Sequence, residues 1–272
     1  MSNTSPPVVL VFAGTDPTGG AGLTADVLAL ASLGCHGAGV VTAVTAQDTT
    51  GIKQFSCVET ELVIAQARAV LEDMPVAAFK IGMLGSSAVA AAVASIVEDY
   101  PDIPLIVDPV QSSGRGDALA NDMLDGALRS LIIPQATLIT PNSLEARALA
   151  PGGDTLDACA QELMSLGSEY VLITGTHENT PKVINALYGG DGLIRSDEWE
   201  RLPGSYHGSG CTLASALAAS LANGLDIADA VREAQEYTWQ TLAASFRFGM
   251  GQAIPDRFFW ARDLDEGRGS GG

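Results

Sequence analysis

Short runs of consecutive apolar residues, each closed by Gly, Pro or Asp, alternate along the chain with stretches in which apolar residues recur at helical spacing. Val8 to Ala13 reads as a strand, followed by a Gly-rich loop and a helix over Leu23 to Leu33. The pattern then predicts strands at Val40 to Ala46 and Ile52 to Val58, a helix at Glu61 to Leu71, a strand at Ala77 to Ile81 and a helix at Ser87 to Val97. Beyond these come a strand at Pro104 to Val107, a helix at Asp117 to Leu131, a strand at Thr137 to Thr140, a helix at Leu156 to Leu166 and a strand at Tyr170 to Ile173. A strand such as Leu105-Ile106-Val107, with no polar position, needs cover on both faces, and parallel sheets receive it from their crossover helices. Between Val183 and Arg201 the period becomes that of a hairpin, with Gly189-Gly190-Asp191-Gly192 as its turn. Two helices are predicted after it, Thr212 to Ala222 and Ile227 to about Phe246, separated by the stop signal Asn223-Gly224. The expected fold class is α/β: a three-layer α/β/α sandwich with a mostly parallel central sheet and an antiparallel edge. One domain over 1–265 is expected, with 266–272 as a disordered tail.

Composition narrows the function. Hydrophobic residues make up 47% and charged residues 17% of the 272 positions, which suits a large buried core. The formal net charge of −18 repels nucleic-acid backbones and anionic bilayers, and no basic patch offsets it. The polar start and the lack of a long apolar run lead to the expectation of a cytoplasmic protein that binds neither nucleic acid nor membrane. Cys35, Cys57, Cys159 and Cys211 form no C-x-x-C pair and complete no zinc spacing with His36, His177 and His207, so reduced thiols and no structural metal are expected.

Three segments carry candidate chemistry. Gly14-Thr15-Asp16-Pro17-Thr18-Gly19-Gly20-Ala21-Gly22 follows a strand and opens a helix, the place where ligands of open α/β sheets gather, and Asp26 lies on the first turns of that helix. Gly20 to Ala25 also fits the dinucleotide fingerprint G-x-G-x-x-[G/A], but six residues separate it from the strand, so nicotinamide or flavin binding ranks below phosphate transfer. His207-Gly208-Ser209-Gly210-Cys211-Thr212 precedes an apolar helix, where convergent N–H groups and the helix dipole can hold a phosphoryl group. Cys211, at that helix start, is expected to have a lowered thiol pKa and to serve as acid, base or nucleophile. At the strand ends Asp108-Pro109 and Thr140-Pro141-Asn142-Ser143-Leu144-Glu145, the side chains of Asn142, Glu145 and Asp108 could hold Mg²⁺ directly or through its waters, with N-cap chemistry as the plainer reading of Asn142.

The stretches AGTDPTGGAG with the following Ala25-Asp26, AVTAQDT, KIGMLG, VDPV, ITPNSLEA and HGSGCTLASALA occur in the order in which hydroxymethylpyrimidine/phosphomethylpyrimidine kinases of thiamine biosynthesis carry them, and the chain resembles that family from about Gly14 to Ala218. The resemblance implies a ribokinase-like fold, ATP with Mg²⁺ as donor, and 4-amino-5-hydroxymethyl-2-methylpyrimidine and its monophosphate as acceptors. It implies that Gly14, Asp26, Gln47, Met83 and Val110 surround the pyrimidine, that Gly208, Ser209, Gly210 and Cys211 form the catalytic anion hole, and that Asp108, Asn142, Glu145 and Thr174 serve ATP, with Asp108 and Glu145 at the metal. A homodimer is the expected assembly. Two positions depart from the family: Thr174 stands where a lysine is usual, and Gln111 to Asp117 lacks the usual methionine and lysine, with Arg115 as the nearest substitute cation. A pyridoxal-type kinase and a non-catalytic pyrimidine sensor are the alternative readings.

Overall fold

β1 (Val8–Ala13) is apolar at every position because both of its faces are covered. Leu10 and Phe12 point into one core and Val9, Val11 and Ala13 into the other. The computed structural model describes residues 5–110 and 122–262. The remaining elements in chain order are α1 (Gly22–Ser32), β2 (His36–Val41), β3 (Ala43–Asp48), β4 (Gly51–Cys57), α2 (Thr60–Leu71), β5 (Val76–Ile81), α3 (Ser87–Glu98), β6 (Leu105–Val107), α4 (Asp122–Ala127), β7 (Leu138–Ile139), α5 (Ser143–Leu149), α6 (Leu156–Ser165), β8 (Tyr170–Ile173), β9 (Lys182–Gly189), β10 (Gly192–Glu200), α7 (Ser209–Ala222), α8 (Ile227–Ala243) and α9 (Phe259–Arg262).

The main sheet runs β10-β9-β8-β7-β6-β5-β1-β2, parallel from β8 to β2 and antiparallel at the β9–β10 edge. Residues from α2, α3, α4 and α6 share the core that contains Phe12 and Phe79, and residues from α1, α7 and α8 share the core on the opposite face. Every residue of α7 from Thr212 to Ser220 is buried, because its Ala-rich surface is apolar or small all round and lies between the sheet and its neighbours. α8 keeps one buried stripe, including Ala230, Ala234, Tyr237 and Thr241, at the expected helical spacing. The α/β sandwich expected from the sequence is the architecture observed.

Two elements differ from the sequence reading. The strand expected over Val40 to Ala46 is two strands in two sheets: β2 ends at Val41, and β3 pairs with β4 in a separate antiparallel ribbon. The break falls at Thr42, which is buried, donates its N–H to Ala13 O and its hydroxyl to Met83 O, and so holds the chain where it leaves the main sheet. The helix expected from Asp117 to Leu131 is described from Asp122; after Ala127 it widens into a π-helical turn, Leu128–Ile132, and tightens into a 3₁₀ turn, Ile133–Gln135, at Pro134. The tail 266–272, the loop 111–117 and Arg115 lie outside the described residues. No helix among the described residues is long and apolar enough to cross a membrane.

Candidate active site

The loop after β1 is wound around Asp16. Its buried carboxylate accepts the N–H groups of Thr18 and Ala21, each at 2.8 Å, and His207 Nε2 lies 2.9 Å from Oδ2. Burial works against the charge of Asp16, yet the contact with His207 and the two backbone donors more than offset it and hold the carboxyl below its ordinary value. The same loop delivers Gly14, whose carbonyl accepts the N–H of Leu23 on α1.

His207 leads into the turn that starts α7. Gly208, at φ 75, is its N-terminal cap, and a Cβ there would sit 2.1 Å from Gly20 O. A Cβ on Gly20 would in turn meet His207 Cδ2 at 2.4 Å, so the two glycine-rich loops cross without room for a methyl group. Thr212 N–H makes the first bond of the helix, to Gly208 O, which leaves the N–H groups of Ser209, Gly210 and Cys211 without intrahelical acceptors. With the helix dipole behind them, these three N–H groups are placed where an anion could be held, at the turn singled out in the sequence.

Beneath this turn lies a buried charge cluster. Lys80, on β5, is 0% exposed and binds both oxygens of Asp26 at 3.0 and 3.1 Å, while Ser215 on α7 donates to Asp26 Oδ1 at 2.8 Å. Asp108 Oδ2 lies 3.9 Å from Lys80 Nζ and has no hydrogen-bond partner. Burial acts to discharge Lys80, but Asp26, Cys211 and Asp108 outweigh it and raise its pKa. Burial raises Asp108, the Lys80 ammonium draws it back, and Asp26 adds to the rise; the net direction is upward.

This geometry corrects two expectations. Asp26 does not face the ligand space: its carboxylate is fully buried against Lys80 and Ser215. Cys211 does not have a lowered pKa. Burial pushes its thiol up to about 12, the nearby carboxylates of Asp108 and Asp26 add to that, and Lys80 and the Gly22 N–H only partly counter it. Alkylation of Cys211 by iodoacetamide in the folded chain should therefore be far slower at pH 8 than that of an unperturbed thiol, followed residue by residue by mass spectrometry. A rate that reaches its plateau below pH 8 would contradict this account.

A cavity of about 780 Å³ runs along the carboxyl ends of the parallel strands. Gly14, Gln47, Met83 and Val110 line it, together with Asp108, Gly208 to Cys211, Asn142, Glu145 and Thr174. Gly14 follows β1 and Thr174 follows β8, four places apart in the sheet, a separation of roughly 19 Å at about 4.8 Å per strand. Asp108 follows β6, between them. The extent suits an extended nucleotide meeting a small acceptor near the α7 turn. Gln47 is held by a bond from its Nε2 to Thr45 Oγ1 at 2.8 Å, and a Cβ on Gly14 would come within 3.1 Å of Met83 Sδ, so these residues share one wall.

Of the residues expected to hold Mg²⁺ directly or through its waters, Asn142 and Glu145 are engaged with each other's backbone. Asn142 Oδ1 accepts the N–H groups of Leu144 and Glu145, and Glu145 Oε2 accepts the N–H of Asn142, a capping box that starts α5. Among the described residues, no three His, Cys, Asp or Glu side chains form a metal-holding group. Thr174 sits on the cavity wall, with its N–H on Pro141 O and its carbonyl accepting from Ser143 N–H. Sequence reasoning missed Lys80, His207 as the partner of Asp16, and Arg257. A lysine inside an apolar strand was the available signal for the first; nothing local announced the other two.

The sequence profile of the phosphomethylpyrimidine kinase family matches residues 16–256. A hydroxymethylpyrimidine/phosphomethylpyrimidine kinase of Mycobacterium tuberculosis is 40% identical over 254 residues, 91% of this chain and 92% of that protein. Among solved structures, a phosphomethylpyrimidine kinase from Clostridium difficile superposes with a TM-score of 0.75 at 32% identity, covering 85% of this chain and 97% of that one. An ADP complex of Bacillus subtilis pyridoxal kinase superposes with a TM-score of 0.86 at 28% identity, covering 95% and 100%. With most of the Gly-rich loop, the Lys80 strand and the anion-holding turn inside the matched residues, the chain belongs to the phosphomethylpyrimidine kinase family.

Proposed function

We infer that the chain transfers the γ-phosphoryl group of ATP to the hydroxymethyl oxygen of 4-amino-5-hydroxymethyl-2-methylpyrimidine, and in a second turnover to the resulting monophosphate. The observation that carries this reading is the single cavity that joins the wall of Gly14, Gln47, Met83 and Val110 to the free N–H groups at the start of α7, in a chain of this family. In the transfer, the alcohol oxygen bonds to the γ-phosphorus, the bond to the β-bridging oxygen breaks, and ADP leaves. The N–H groups of Ser209, Gly210 and Cys211 take the charge on the transferring oxygens. Burial keeps Cys211 a neutral thiol at pH 7, so it does not act as the base, and the alcohol proton leaves late, once the new bond has made it acidic, and passes to water in the cavity.

Gln47 offers an amide to the ring nitrogen and amino group, and Met83 a polarizable face. Asp108 and Glu145 both line the cavity and Asp108 Oδ2 has no hydrogen-bond partner, so these two carboxylates would hold Mg²⁺ through its waters. When bound, that ion would neutralise phosphate charge.

The likeness to a pyridoxal kinase makes pyridoxal the alternative acceptor to test. ATP consumption with hydroxymethylpyrimidine, its monophosphate and pyridoxal, with products identified by mass, separates the readings. Turnover of both pyrimidines is expected at a kcat/KM at least about tenfold above that for pyridoxal. A reversed preference would overturn the assignment, and tight pyrimidine binding without ATP consumption would mark a sensor.

A further inference from the structure

Arg257 lies one residue beyond the matched family region, and its guanidinium is turned inward, with the residue 3% exposed. Its main-chain carbonyl accepts from Ser32 Oγ on α1 and Tyr237 Oη on α8, at 2.5 and 2.9 Å, which pins the segment that carries it. From there Nη2 donates to Gly20 O at 2.7 Å, Nη1 to Gly19 O at 3.3 Å, and Nε to Thr212 Oγ1 at 3.1 Å. Thr212 Oγ1 passes its own proton to Gly208 O at 2.8 Å. One planar fork therefore ties the loop after β1 to the first turn of α7, at the point where Gly20 and Gly208 cross. Among the described residues no ion pair includes Arg257. Burial works against its charge, and the carboxylates of Asp16 and Asp26 offset it only in part and without direct contact, so the cation is held at a net cost.

We propose that Arg257 is a positioning residue for phosphoryl transfer: its guanidinium fixes the Gly14–Gly22 loop against the anion-holding turn, so that acceptor and phosphoryl group meet in register. This rests on the kinase reading above. Misplacement of reacting groups by a fraction of a bond length lowers turnover far more than ground-state binding. A lysine keeps the charge but cannot bridge three acceptors in one plane.

The test compares Arg257→Lys with Tyr237→Phe, which removes one of the two bonds on the Arg257 carbonyl and leaves the Ser32 bond and every guanidinium bond in place. Arg257→Lys should lower kcat by about tenfold or more while leaving the KM for hydroxymethylpyrimidine within about threefold, and Tyr237→Phe should keep wild-type kcat. Hydrogen exchange supplies a readout independent of turnover: amides of 14–22 and 208–212 should exchange faster in Arg257→Lys than in Tyr237→Phe. Wild-type kcat together with unchanged exchange in Arg257→Lys would overturn the proposal, as would equal losses in the two variants. Should Arg257→Lys fail to fold, Thr212→Val removes the α7 end of the bridge alone and is judged by the same readouts. A wild-type chain that turns over no pyrimidine would defeat the kinase reading, and the exchange comparison would still decide the role of Arg257.

Discussion

Replacing Gly208 with alanine is expected to lower kcat/KM by a hundredfold or more, on the order of the loss of an oxyanion-hole donor, and to destabilise the chain by about 2–4 kcal/mol. Two costs combine. At φ 75 any Cβ strains the backbone, by roughly 1–2 kcal/mol, and this Cβ would also lie 2.1 Å from Gly20 O and 2.8 Å from Ala21 Cα. Neither neighbour is the end of a flexible side chain; both are backbone of the loop that delivers Gly14, so relief must come from moving that loop or the start of α7. Either movement misaligns the N–H groups of Ser209 to Cys211. Gly224, past the other end of α7, separates the two costs, because it has φ 89 but no atom within 4 Å of its would-be Cβ. Gly224→Ala should therefore show the conformational penalty alone, with wild-type kcat/KM. Denaturation midpoints and steady-state kinetics of the two variants check this; activity within about threefold of wild type in Gly208→Ala would refute the crossing of the loops as the source of geometry.

What the sequence made legible follows the range of the interactions involved. The β9–β10 hairpin was readable from Gly189-Gly190-Asp191-Gly192 because turn chemistry is local, and the buried strands from runs such as Leu105-Ile106-Val107 because two-faced burial leaves no polar position. The break at Thr42 was not, since the bonds that create it go to Ala13 on β1 and to Met83 in the segment after β5. Asn142 and Glu145 show a different limit: the pattern Asn-x-x-Glu is the same for a capping box and for two oxygen ligands on one face, and here Asn142 Oδ1 and Glu145 Oε2 accept local backbone N–H groups. For Cys211 the helix-terminus rule gave the wrong sign because burial and two nearby carboxylates outweigh the dipole. The clamp of Arg257 on Gly20 spans 237 positions, and no periodicity reaches that far.

The same reasoning makes Lys80 the most sensitive charge in the chain. Its ammonium is the counter-ion of Asp26, which is itself fully buried, and it lies 3.9 Å from Asp108. Lys80→Met fills similar volume but leaves the fully buried Asp26 carboxylate without its counter-ion and Asp108 without its nearest cation, and breaking a buried pair in this way costs about 3–5 kcal/mol. Adding Asp26→Asn to Lys80→Met removes the charge left without its counter-ion and should recover part of that loss. The pH dependence has a definite sign. The folded-state pKa of Lys80 is raised, so its contribution to stability is complete below the unfolded lysine value of roughly 10.4 and falls away as the pH climbs from there toward the folded value. The stability gap between wild type and Lys80→Met should accordingly be constant from neutral pH to about 10 and narrow above it. Urea unfolding of the wild type, the single and the double variant across that range measures it. A Lys80→Met chain within about 1 kcal/mol of wild type at pH 7, or a double variant weaker than the single one, would show that the Asp26–Lys80 pair does not carry the stability of this cluster.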